Sequence, residues 1–558
     1  MILGIDVGGT HTDAALIENF KIKKKAKVLT NEISLMDSLL NVMGEIFRDE
    51  DSLDLKRIVL STTISTNAIV QGKTERVGLI LASGPGLPPS ALKINNDTHF
   101  ISGYVNHRGI EIAGIDHDEV SRICEHFKKE GIEHAGIVGK FSTRNLKQEI
   151  EVRDIINNNF KHISLGHRMS GHLNFPRRVS TTYLNAAISD LYTNFVKEIS
   201  KFLGKSGPKL PIYILKADGG TLEIDKSVEY PAQTILSGPA ASIMGILSLT
   251  DCRKDAIALD IGGTTTDIAI FADGIPLLEP LGVTIEGHKT LIRGLRTKSI
   301  GIGGDSRVKY ESNSIVIGPE RDGPAAAFGG PSPTPTDAMI VAGLTNIGDK
   351  EKATAAISPI ARRSGRPVHE AAKMIFDLTC QKIATSVKEM IEEINNRPVY
   401  TIHELLEGKK LIPQVLNVVG GPAEPMAEHL GKLLECPAHI PEHAEVANAI
   451  GAALARTTTE LTLLADTERK TMTIVEEGLQ IPIPNVFSRE DALKTCKEKL
   501  FERSLKMGAK KEDIDMETIE DQEFNMVRGF YTTGKNIRIK VQVKPGLITG
   551  LGKGQTIC

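Results

Sequence analysis

Two stretches of the sequence repeat one pattern of aspartate, glycine and threonine. The first is Asp6-Val7-Gly8-Gly9-Thr10-His11-Thr12-Asp13, and the second is Asp260-Ile261-Gly262-Gly263-Thr264-Thr265-Thr266-Asp267. Apolar residues precede and follow each stretch, which predicts two β-strands joined by a glycine turn. Because the two copies lie so far apart, the repetition indicates a duplicated domain rather than a solenoid of short repeats.

The residue types in these turns suit the binding of phosphate together with a metal ion. Adjacent glycines let the backbone approach a ligand closely, so that successive N–H groups converge on a phosphate. Threonine hydroxyls add donors, and the aspartate that ends each first strand, Asp6 or Asp260, can hold a hydrated divalent cation. A single copy would fit an ordinary hairpin turn equally well, but the repetition favours phosphate binding.

The elements that position these turns alternate between strands and helices, which predicts an α/β fold. Buried strands are expected at 57–60, 77–81, 135–138, 212–215 and 414–419. Apolar residues at helical spacing predict helices over 33–47, 116–129, 149–160, 177–202, 337–344, 368–395 and 446–455, with Thr336 capping the fifth of these.

Three further stretches stand next to predicted strands or helices. Ser61-Thr62-Thr63-Ile64-Ser65-Thr66-Asn67 begins a helix whose free N–H groups and hydroxyls either face a ligand or form an ordinary N-cap. Gly303-Gly304 is a third glycine loop. The helices that begin at Ser237 and Val446 have small side chains, which permit close packing or approach to a ligand.

The region after Arg456 has a different pattern and predicts a small α+β appendage. Ser488 and Asp491 form a capping box for a helix that ends near Gly508. A strand at 524–531 is expected to turn at 532–536 into an alternating strand at 537–543, followed by a loose tail at 545–558. No catalytic group of residues is evident in this region.

Composition excludes several classes of protein. The 558 residues suffice for three or four domains, and 67 basic against 70 acidic residues argue against nucleic-acid binding. The six cysteines form no CxxC pair, so neither a zinc site nor a disulfide framework is expected. Without a signal sequence or a run of 18 apolar residues, the protein is expected in the cytoplasm and not in a membrane.

The ordered motifs resemble the superfamily of acetate and sugar kinases, heat-shock chaperone ATPases and actin. Within it, the sequence is similar to the A-type subunit of the hydantoinase/oxoprolinase family, over about residues 1–455. The motifs that carry the narrower resemblance are 6–13, 62–68, 141–145, 178–186, 237–240, 260–267, 303–306, 318–325, 336–338 and 420–422.

This resemblance implies two RNase H-like domains, at 1–245 and 246–456, with ATP and Mg²⁺ between them and the appendage at 457–558. It implies that Asp6 and Asp260 orient the hydrated metal and that Asp6, Asp260 and Asp267 are the catalytic carboxylates. The residues implied to bind nucleotide are Gly8, Gly9, Thr10, Thr12, Gly262, Gly263, Thr264 and Thr265 at the phosphates and Gly303, Gly304, Gly420 and Gly421 at the ribose and adenine.

Members of the family use ATP to activate an amide or carbonyl oxygen, so the resemblance implies an ATP-dependent hydrolase of a small, cyclic amide-like metabolite. A B-type partner subunit and an oligomeric assembly are implied with it. Substrate contacts are expected from Thr62, Thr63, Asn67, Asn145 and Arg178, each of which also suits a structural cap or ion pair.

The sequence departs from the family pattern on the substrate side. Ser83-Gly84-Pro85-Gly86 stands where relatives have a Gly-Phe-Arg-Asp type segment, and Leu146 follows Asn145 in place of proline. The chain is also shorter than typical A subunits and carries no fused B-type sequence. Two alternatives therefore stay open, a small-molecule kinase of the same superfamily and a nucleotide-gated ATPase whose output is movement.

Overall fold

The sheet that contains the first glycine turn is built mainly from the amino-terminal part of the chain. The structure is a computed structural model that describes residues 1–9, 11–31, 35–48, 54–203, 210–250, 254–396 and 410–548. The strands of this sheet are β1 (Ile2–Val7), β2 (His11–Glu18), β3 (Lys21–Leu29), β4 (Arg57–Thr62), β11 (Ile212–Leu215) and β12 (Thr221–Glu223). They lie in the order β12-β11-β4-β1-β2-β3, with β1, β4 and β11 parallel to one another.

The sheet that contains the second glycine turn repeats this arrangement. Its strands are β13 (Ala256–Ile261), β14 (Thr266–Ala272), β15 (Ile275–Pro276), β18 (Thr297–Ile300), β21 (Val415–Val419) and β22 (Ala438–His439). The order β15-β14-β13-β21-β22 matches β3-β2-β1-β4-β11, again with an antiparallel hairpin beside a parallel strand, and β18 pairs with β14. The predicted duplication is therefore present in the topology.

Two smaller sheets complete the fold. One inserts into the first half and consists of β5 (Val77–Ala82), β6 (Thr98–Phe100), β9 (His134–Gly139) and β10 (His162–Leu165). The other is the carboxyl-terminal sheet of β23 (Glu460–Asp466), β24 (Thr471–Ile474), β25 (Leu479–Pro482), β26 (Met516–Arg528) and β27 (Tyr531–Val543). Short two-stranded ribbons are formed by β7 (Tyr104–Val105) with β8 (Glu111–Ala113), β16 (Thr284–Ile285) with β17 (His288–Lys289), and β19 (Val308–Glu311) with β20 (Ser314–Ile317).

Helices pack on the faces of these sheets. In the first half they are α1 (Leu35–Phe47), α2 (Ile64–Val70), α3 (His117–Lys129), α4 (Lys147–Ile156), α5 (Gly166–Met169), α6 (Phe175–Ala187), α7 (Ser189–Leu203), α8 (Ile224–Ser227) and α9 (Ser237–Leu249). In the rest of the chain they are α10 (Pro335–Val341), α11 (Lys350–Ser364), α12 (Val368–Asn395), α13 (Ala423–Leu434), α14 (Ala447–Leu454) and α15 (Arg489–Lys506). Among the described helices, none combines the length and apolar character that crossing a bilayer requires.

The two small-residue helices, α9 and α14, pack against each other between the duplicated sheets. A Cβ atom on Gly451 would lie 2.2 Å from the Gly245 nitrogen, so the two backbones are in direct contact. Their alanines join Ala15 and Val59 of the first sheet and Ala258 of the second in one buried cluster. Small residues therefore let the two helix backbones approach closely inside the core that links the two halves.

Three local predictions are wrong. The helix expected over 177–202 is two helices, α6 and α7, because Ile188 leaves the helical conformation between them. Thr334, not Thr336, caps α10, since its hydroxyl accepts from the Asp337 N–H at 3.3 Å. The turn expected at 532–536 lies inside β27, and β26 ends before it at Arg528.

The predicted appendage is an α+β unit in which α15 packs on the carboxyl-terminal sheet. The capping box is confirmed, because Ser488 Oγ accepts from the Asp491 N–H at 3.1 Å. The unit is attached to the first half through the Thr458 N–H, which donates to Thr221 O at 3.2 Å, and through the Tyr213 hydroxyl, which donates to Gly508 O at 2.9 Å. The domain boundaries at 245 and 456 stay predictions, and residues 549–558 of the expected tail lie outside the described residues.

A candidate phosphate and metal site between two hairpins

The two glycine turns have the same local geometry. Asp6 pairs with Asp13 across the β1–β2 ladder, and Gly8 N donates to His11 O at 3.1 Å. Asp260 pairs with Asp267 across the β13–β14 ladder, and Gly262 N donates to Thr265 O at 2.9 Å. Each hairpin thus ends in a pair of carboxylates directly below a glycine turn.

These carboxylates are buried and influence one another. Burial raises the pKa of Asp6 above its usual value, and the nearby charge of Asp260 raises it further. Burial also raises the pKa of Asp260. Burial raises the pKa of Asp13 and the pKa of Asp267 to about 6, with the charge of Asp260 contributing in both cases. Four carboxyl groups from the two hairpins therefore face one region. The positive charges and hydrogen-bond donors around them do not fully offset the burial of their negative charges.

The hydrogen bonds of these carboxylates leave two buried oxygens, Asp6 Oδ1 and Asp13 Oδ1, without a hydrogen-bond partner, although Lys27 Nζ lies 3.0 Å from Asp13 Oδ1 as an ion pair. Asp6 Oδ2 accepts from Asn448 Nδ2 at 3.1 Å, whereas Asp6 Oδ1 is buried and has no partner. Asp260 Oδ2 accepts from Ser242 Oγ at 2.5 Å, and Asp13 Oδ2 accepts from Lys27 Nζ at 3.1 Å.

A hydrated Mg²⁺ fits this donor set. Mg²⁺ keeps several waters and is held by one or two carboxylates together with substrate phosphates. The unpartnered Asp6 oxygen and the raised carboxyl pKa values mark a place where a cation would be stabilised. Within the described ranges, no group of three or more Asp, Glu, His or Cys is placed to hold a metal ion.

Two further glycine loops pack onto the second turn. Gly304 N donates to Gly262 O at 2.9 Å, and a Cβ on Gly303 would lie 2.5 Å from that same oxygen. A Cβ on Gly420 would lie 2.2 Å from Ile261 O and 2.9 Å from Asp260 Oδ1. Gly421 has open space beside it. The glycines are therefore needed for close backbone approach, and they leave one open side for a ligand.

The four predicted threonines do not all have the same surroundings. Thr12 is fully buried and its hydroxyl contacts Thr30 Oγ1 at 2.9 Å, while Thr30 donates to Gly8 O at 2.9 Å. Thr12 thus supports the turn from below. Thr264 and Thr265 are partly exposed at the second turn. Thr10 lies outside the described residues, whereas Gly9 beside it has open space around it.

Charged residues from both halves meet across the region between the turns. Burial lowers the pKa of His11 on the first hairpin, and the positive charges of Lys27 and Arg321 lower it further. Arg321 Nη2 lies 3.1 Å from Asp305 Oδ2, and Asp305 follows the Gly303-Gly304 loop. The first hairpin therefore lies close to the loops of the second half.

Thr62, Thr63 and Asn67 lie at the carboxyl end of β4, next to β1. The Thr62 hydroxyl accepts from Ile64 N at 3.3 Å, and Ser237 Oγ donates to Thr62 O at 2.8 Å. Asn67 is exposed and its Nδ2 donates to Thr63 Oγ1 at 3.2 Å. Because β1 and β4 are parallel neighbours, these residues share an edge of the sheet with the first glycine turn.

Asn145 and Arg178 bind backbone groups of the inserted region. Arg178 is fully buried, and its guanidinium donates to the carbonyl oxygens of His172, Gly139 and Lys140 at 2.8, 2.6 and 2.9 Å. Asn145 donates to Gly109 O at 3.0 Å and accepts from Lys147 N at 3.1 Å. None of these hydrogen bonds connects Asn145 or Arg178 to the two glycine hairpins.

Four residues at the site were not identified from the sequence, namely Lys27, Ser242, Asp305 and Asn448. Asn448 is the one polar side chain of α14, which is otherwise made of alanine, glycine, isoleucine and leucine. That single polar position is a usable signal. Thr336 stabilises the third glycine loop, because its hydroxyl donates to Gly304 O at 2.7 Å.

Comparisons with known proteins agree with this geometry. Residues 2–160 match the hydantoinase/oxoprolinase N-terminal region, and residues 178–461 match the hydantoinase/oxoprolinase family. The chain is 24% identical over 452 residues to the acetophenone carboxylase gamma subunit of Aromatoleum aromaticum, covering 70% of this chain and 61% of that protein. It is 22% identical over 437 residues to the caprolactamase subunit alpha of Pseudomonas jessenii, covering 70% and 62%. The chain therefore spans about six-tenths of the length of these relatives.

A solved structure has the same fold. The ATP-dependent caprolactamase from Pseudomonas jessenii superposes with a TM-score of 0.77 at 18% identity, covering 99% of this chain and 88% of that one. The α/β fold with duplicated domains that the sequence predicts is thereby confirmed. The family matches and the repeated hairpins lead to one conclusion: the chain belongs to the hydantoinase/oxoprolinase family.

Proposed function

We propose that this protein uses ATP to activate the amide or carbonyl oxygen of a small metabolite, as an ATP-dependent hydrolase of carbon–nitrogen bonds. The observation that carries the proposal is the pair of matched hairpins, each with two buried carboxylates below a glycine turn, facing one region. Phosphoryl transfer requires positioning and charge neutralisation, and these hairpins offer both.

Each group has an assigned role in this proposal. Asp6 and Asp260 orient the hydrated metal, and the N–H groups of Gly9 and Gly263 hold the phosphate oxygens. Gly8 and Gly262, whose N–H groups close the two turns, let the phosphate approach the backbone because they carry no side chain. Bound Mg²⁺ supplies neutralisation of phosphate charge. Asp267, with a pKa of about 6, accepts or returns a proton near neutral pH. The remaining glycines, Gly303, Gly304, Gly420 and Gly421, enclose the nucleoside.

The names of the relatives support a carbonyl oxygen as the acceptor. A caprolactamase acts on a cyclic amide and an acetophenone carboxylase acts on a ketone, and both compounds react at a carbonyl group. The carbonyl oxygen of the substrate forms a bond to the γ-phosphorus of ATP while the bond between that phosphorus and the bridging oxygen of ADP breaks. The carbonyl carbon then becomes a better electrophile. Thr62, Thr63 and Asn67 share the sheet edge with the first turn and are proposed to contact this substrate.

Asn145 and Arg178 take a supporting role in the same proposal. Arg178 binds three carbonyl oxygens of the inserted region, so it fixes the loop after β9. In this proposal the Arg178 guanidinium does not contact the substrate but positions that loop.

We also propose a B-type partner subunit and a cytoplasmic location. Both relatives above are named as subunits, which supports an assembly of unlike chains. The described cysteines Cys124, Cys380, Cys436 and Cys496 are buried free thiols, which suits a reducing compartment.

The test is ADP formation from Mg-ATP with a panel of caprolactam, 5-oxoproline, hydantoin, acetone and acetophenone, with and without the B-type subunit. We expect one compound to raise turnover at least ~10-fold, with a ring-opened or carboxylated product. Asp260→Ala should abolish that turnover, while the surface variant Asp377→Asn should retain it. A stable phosphorylated product would favour a kinase, and turnover that ignores every compound would favour a nucleotide-gated ATPase.

A further inference from the structure

A semi-enclosed cavity lies at the carboxyl end of β11, where the first sheet meets the carboxyl-terminal unit. Its volume is about 50 Å³, and its walls include Lys216, Asp218, Tyr230, Arg293 and Glu460. β11 is parallel to β4, and β4 to β1, so the cavity shares the sheet edge that carries the first glycine turn. With adjacent strands ~5 Å apart, the cavity is roughly 10 Å from that turn along the edge.

The carboxylates in the cavity wall already have partners. Asp218 accepts from Gly220 N at 3.0 Å and from Thr458 Oγ1 at 2.7 Å. Although burial opposes it, the positive charges of Lys216 and Arg293 hold the pKa of Asp218 below its usual value. These groups therefore need nothing further from a ligand.

The other two wall carboxylates are equally engaged. Glu460 lies 2.9 Å from Lys540 Nζ, and despite its burial Lys540 and Arg293 lower its pKa to about 2. Glu476 accepts from Thr462 N at 2.8 Å and from Gly171 N at 3.0 Å. The acceptors of the wall are thus satisfied by the protein itself.

Two residues of the wall, Arg293 and Tyr230, have donors that are not satisfied, whereas Lys216 Nζ donates to Thr458 O at 2.8 Å. Arg293 Nε and Nη1 are buried without a hydrogen-bond partner, and Nη1 lies 3.1 Å from Asp218 Oδ2 without the alignment that a hydrogen bond needs. The Tyr230 hydroxyl is also buried, in a residue that is 3% exposed, and its neighbour Arg503 can only donate, so the Tyr230 O–H has no acceptor. A buried donor left unpaired destabilises the folded protein, so a ligand that supplies an acceptor would be stabilised at these groups.

We propose that this cavity binds the carboxylate group of the substrate, with Arg293 and Tyr230 as its donors. The proposal rests on the function proposed above and adds the substrate class, a small metabolite that carries a carboxylate. The planar guanidinium offers a donor geometry that matches a carboxylate. A phosphate dianion fits less well, because three wall carboxylates would repel its second charge.

The position of the cavity agrees with this role. Thr62 and Thr63, at the end of β4, lie between the end of β11 and the first glycine turn in the strand order. A small metabolite anchored by its carboxylate at Arg293 would extend along this edge, with its carbonyl oxygen directed towards the phosphate turn. The cavity is too small for a nucleotide, so it complements the ATP site rather than duplicating it.

The test uses matched pairs of small molecules, with and without a carboxylate, titrated by calorimetry into the full chain. The pairs are acetate with acetamide, pyruvate with acetone, and L-5-oxoproline with 2-pyrrolidinone, all in the presence of Mg²⁺ and a non-hydrolysable ATP analogue. We expect at least one carboxylate to bind while its neutral counterpart does not. Absence of saturable binding by every carboxylate, or equal binding of both members of a pair, would overturn the proposal.

Conservative variants connect that binding to the cavity. Arg293→Lys keeps the positive charge beside Asp218 but removes the planar guanidinium with its parallel N–H donors. This change should weaken carboxylate binding at least ~10-fold. Tyr230→Phe removes one hydroxyl and should weaken it several-fold. Arg296→Lys is the control, because Arg296 pairs with Glu279 and Glu393 outside the cavity. Unchanged carboxylate binding in both Arg293→Lys and Tyr230→Phe would also overturn the proposal.

A separate titration of Mg-ATP distinguishes this proposal from the general function. Mg-ATP affinity should stay the same in Arg293→Lys and Tyr230→Phe, which also shows that both variants are folded. If Mg-ATP binds and Asp260→Ala abolishes that binding, failure of every carboxylate to bind contradicts the cavity proposal alone. If Mg-ATP does not bind the wild-type chain, the proposed function itself is wrong.

Discussion

Buried aspartates dominate the candidate site at the scale of single residues. Asp13 and Asp267 each have a pKa of about 6 because burial disfavours their charged forms. A chain without a bound cation therefore carries unfavourable charge at neutral pH. Such an arrangement costs folding stability, and strongly shifted carboxyl pKa values are typical of functional sites.

Asp267→Asn should stabilise the ligand-free protein at neutral pH but not in acid. The folded pKa of Asp267 is above its unfolded value, so its contribution to stability is complete below the unfolded pKa and is lost as pH rises through about 6. At pH 7.5 the loss amounts to about 2–3 kcal/mol, at 1.36 kcal/mol for each pKa unit. Asparagine is neutral at both pH values and avoids this cost.

Melting temperatures of the variant and wild type at pH 7.5 and pH 4.5, without nucleotide or metal, provide the measurement. The difference between the two proteins should be larger at pH 7.5. Glu498→Gln, at an exposed carboxylate on α15, is the control variant at both pH values. An Asp267→Asn shift of equal size at both pH values would contradict the assignment of a raised pKa.

The residues within each glycine turn could be predicted from the sequence because they are neighbours along the chain. Asp6, Gly8 and Gly9 form one local pattern with a direct chemical meaning. Asn448 contacts Asp6 from a helix more than four hundred positions away. The single polar position in α14 marks Asn448 as unusual, but only the tertiary packing of α14 shows that it contacts Asp6.

Helices α9 and α14 are the elements that join the duplicated sheets. Their small side chains were predicted to permit close packing, and the backbone contact at Gly451 and Gly245 agrees. α14 also packs on β1, where a Cβ on Gly4 would lie 2.0 Å from Ala449 O. Gly4 is therefore needed for contact between α14 and the strand that ends at Asp6.

Gly4→Ala should destabilise the protein by at least about 1–3 kcal/mol, since the added methyl overlaps backbone atoms that cannot move independently. Gly44→Ala is the control, because a Cβ at Gly44 meets nothing within 4 Å. Gly44 is inside α1, so alanine there should stabilise the helix by about 0.5–1 kcal/mol. Urea unfolding midpoints measure both effects, and a neutral Gly4→Ala would contradict the packing described.

The prediction of elements succeeded where periodicity was long and failed where a single residue decided the outcome. α12 was predicted with its observed bounds because 28 residues repeat one helical pattern. The break at Ile188 was missed because isoleucine continues an apolar pattern while its backbone leaves the helix. Two threonines near Pro335 both suit a cap, and only the position of the helix start shows that Thr334 is the one.

The described part of the molecule contains two copies of one sheet topology, joined by a tightly packed pair of helices, together with an inserted sheet and a carboxyl-terminal unit. The sequence indicated this duplication through the repeated hairpin, since a long-range repeat requires no knowledge of packing. It could not indicate the cavity beside Arg293, because residues from the first sheet, the second half and the carboxyl-terminal unit together form its walls.

The central claim is that both hairpins hold one ligand, and a double-mutant cycle tests it most directly. Mg-ATP dissociation constants would be measured by calorimetry for wild type, Asp6→Asn, Asp260→Asn and the double variant. If both aspartates orient one metal, each single change should weaken binding at least ~10-fold, and the double change should cost less than the sum, with a coupling of about 1 kcal/mol or more. Additive effects within about 0.5 kcal/mol would show that the two turns act independently, and would contradict a shared site.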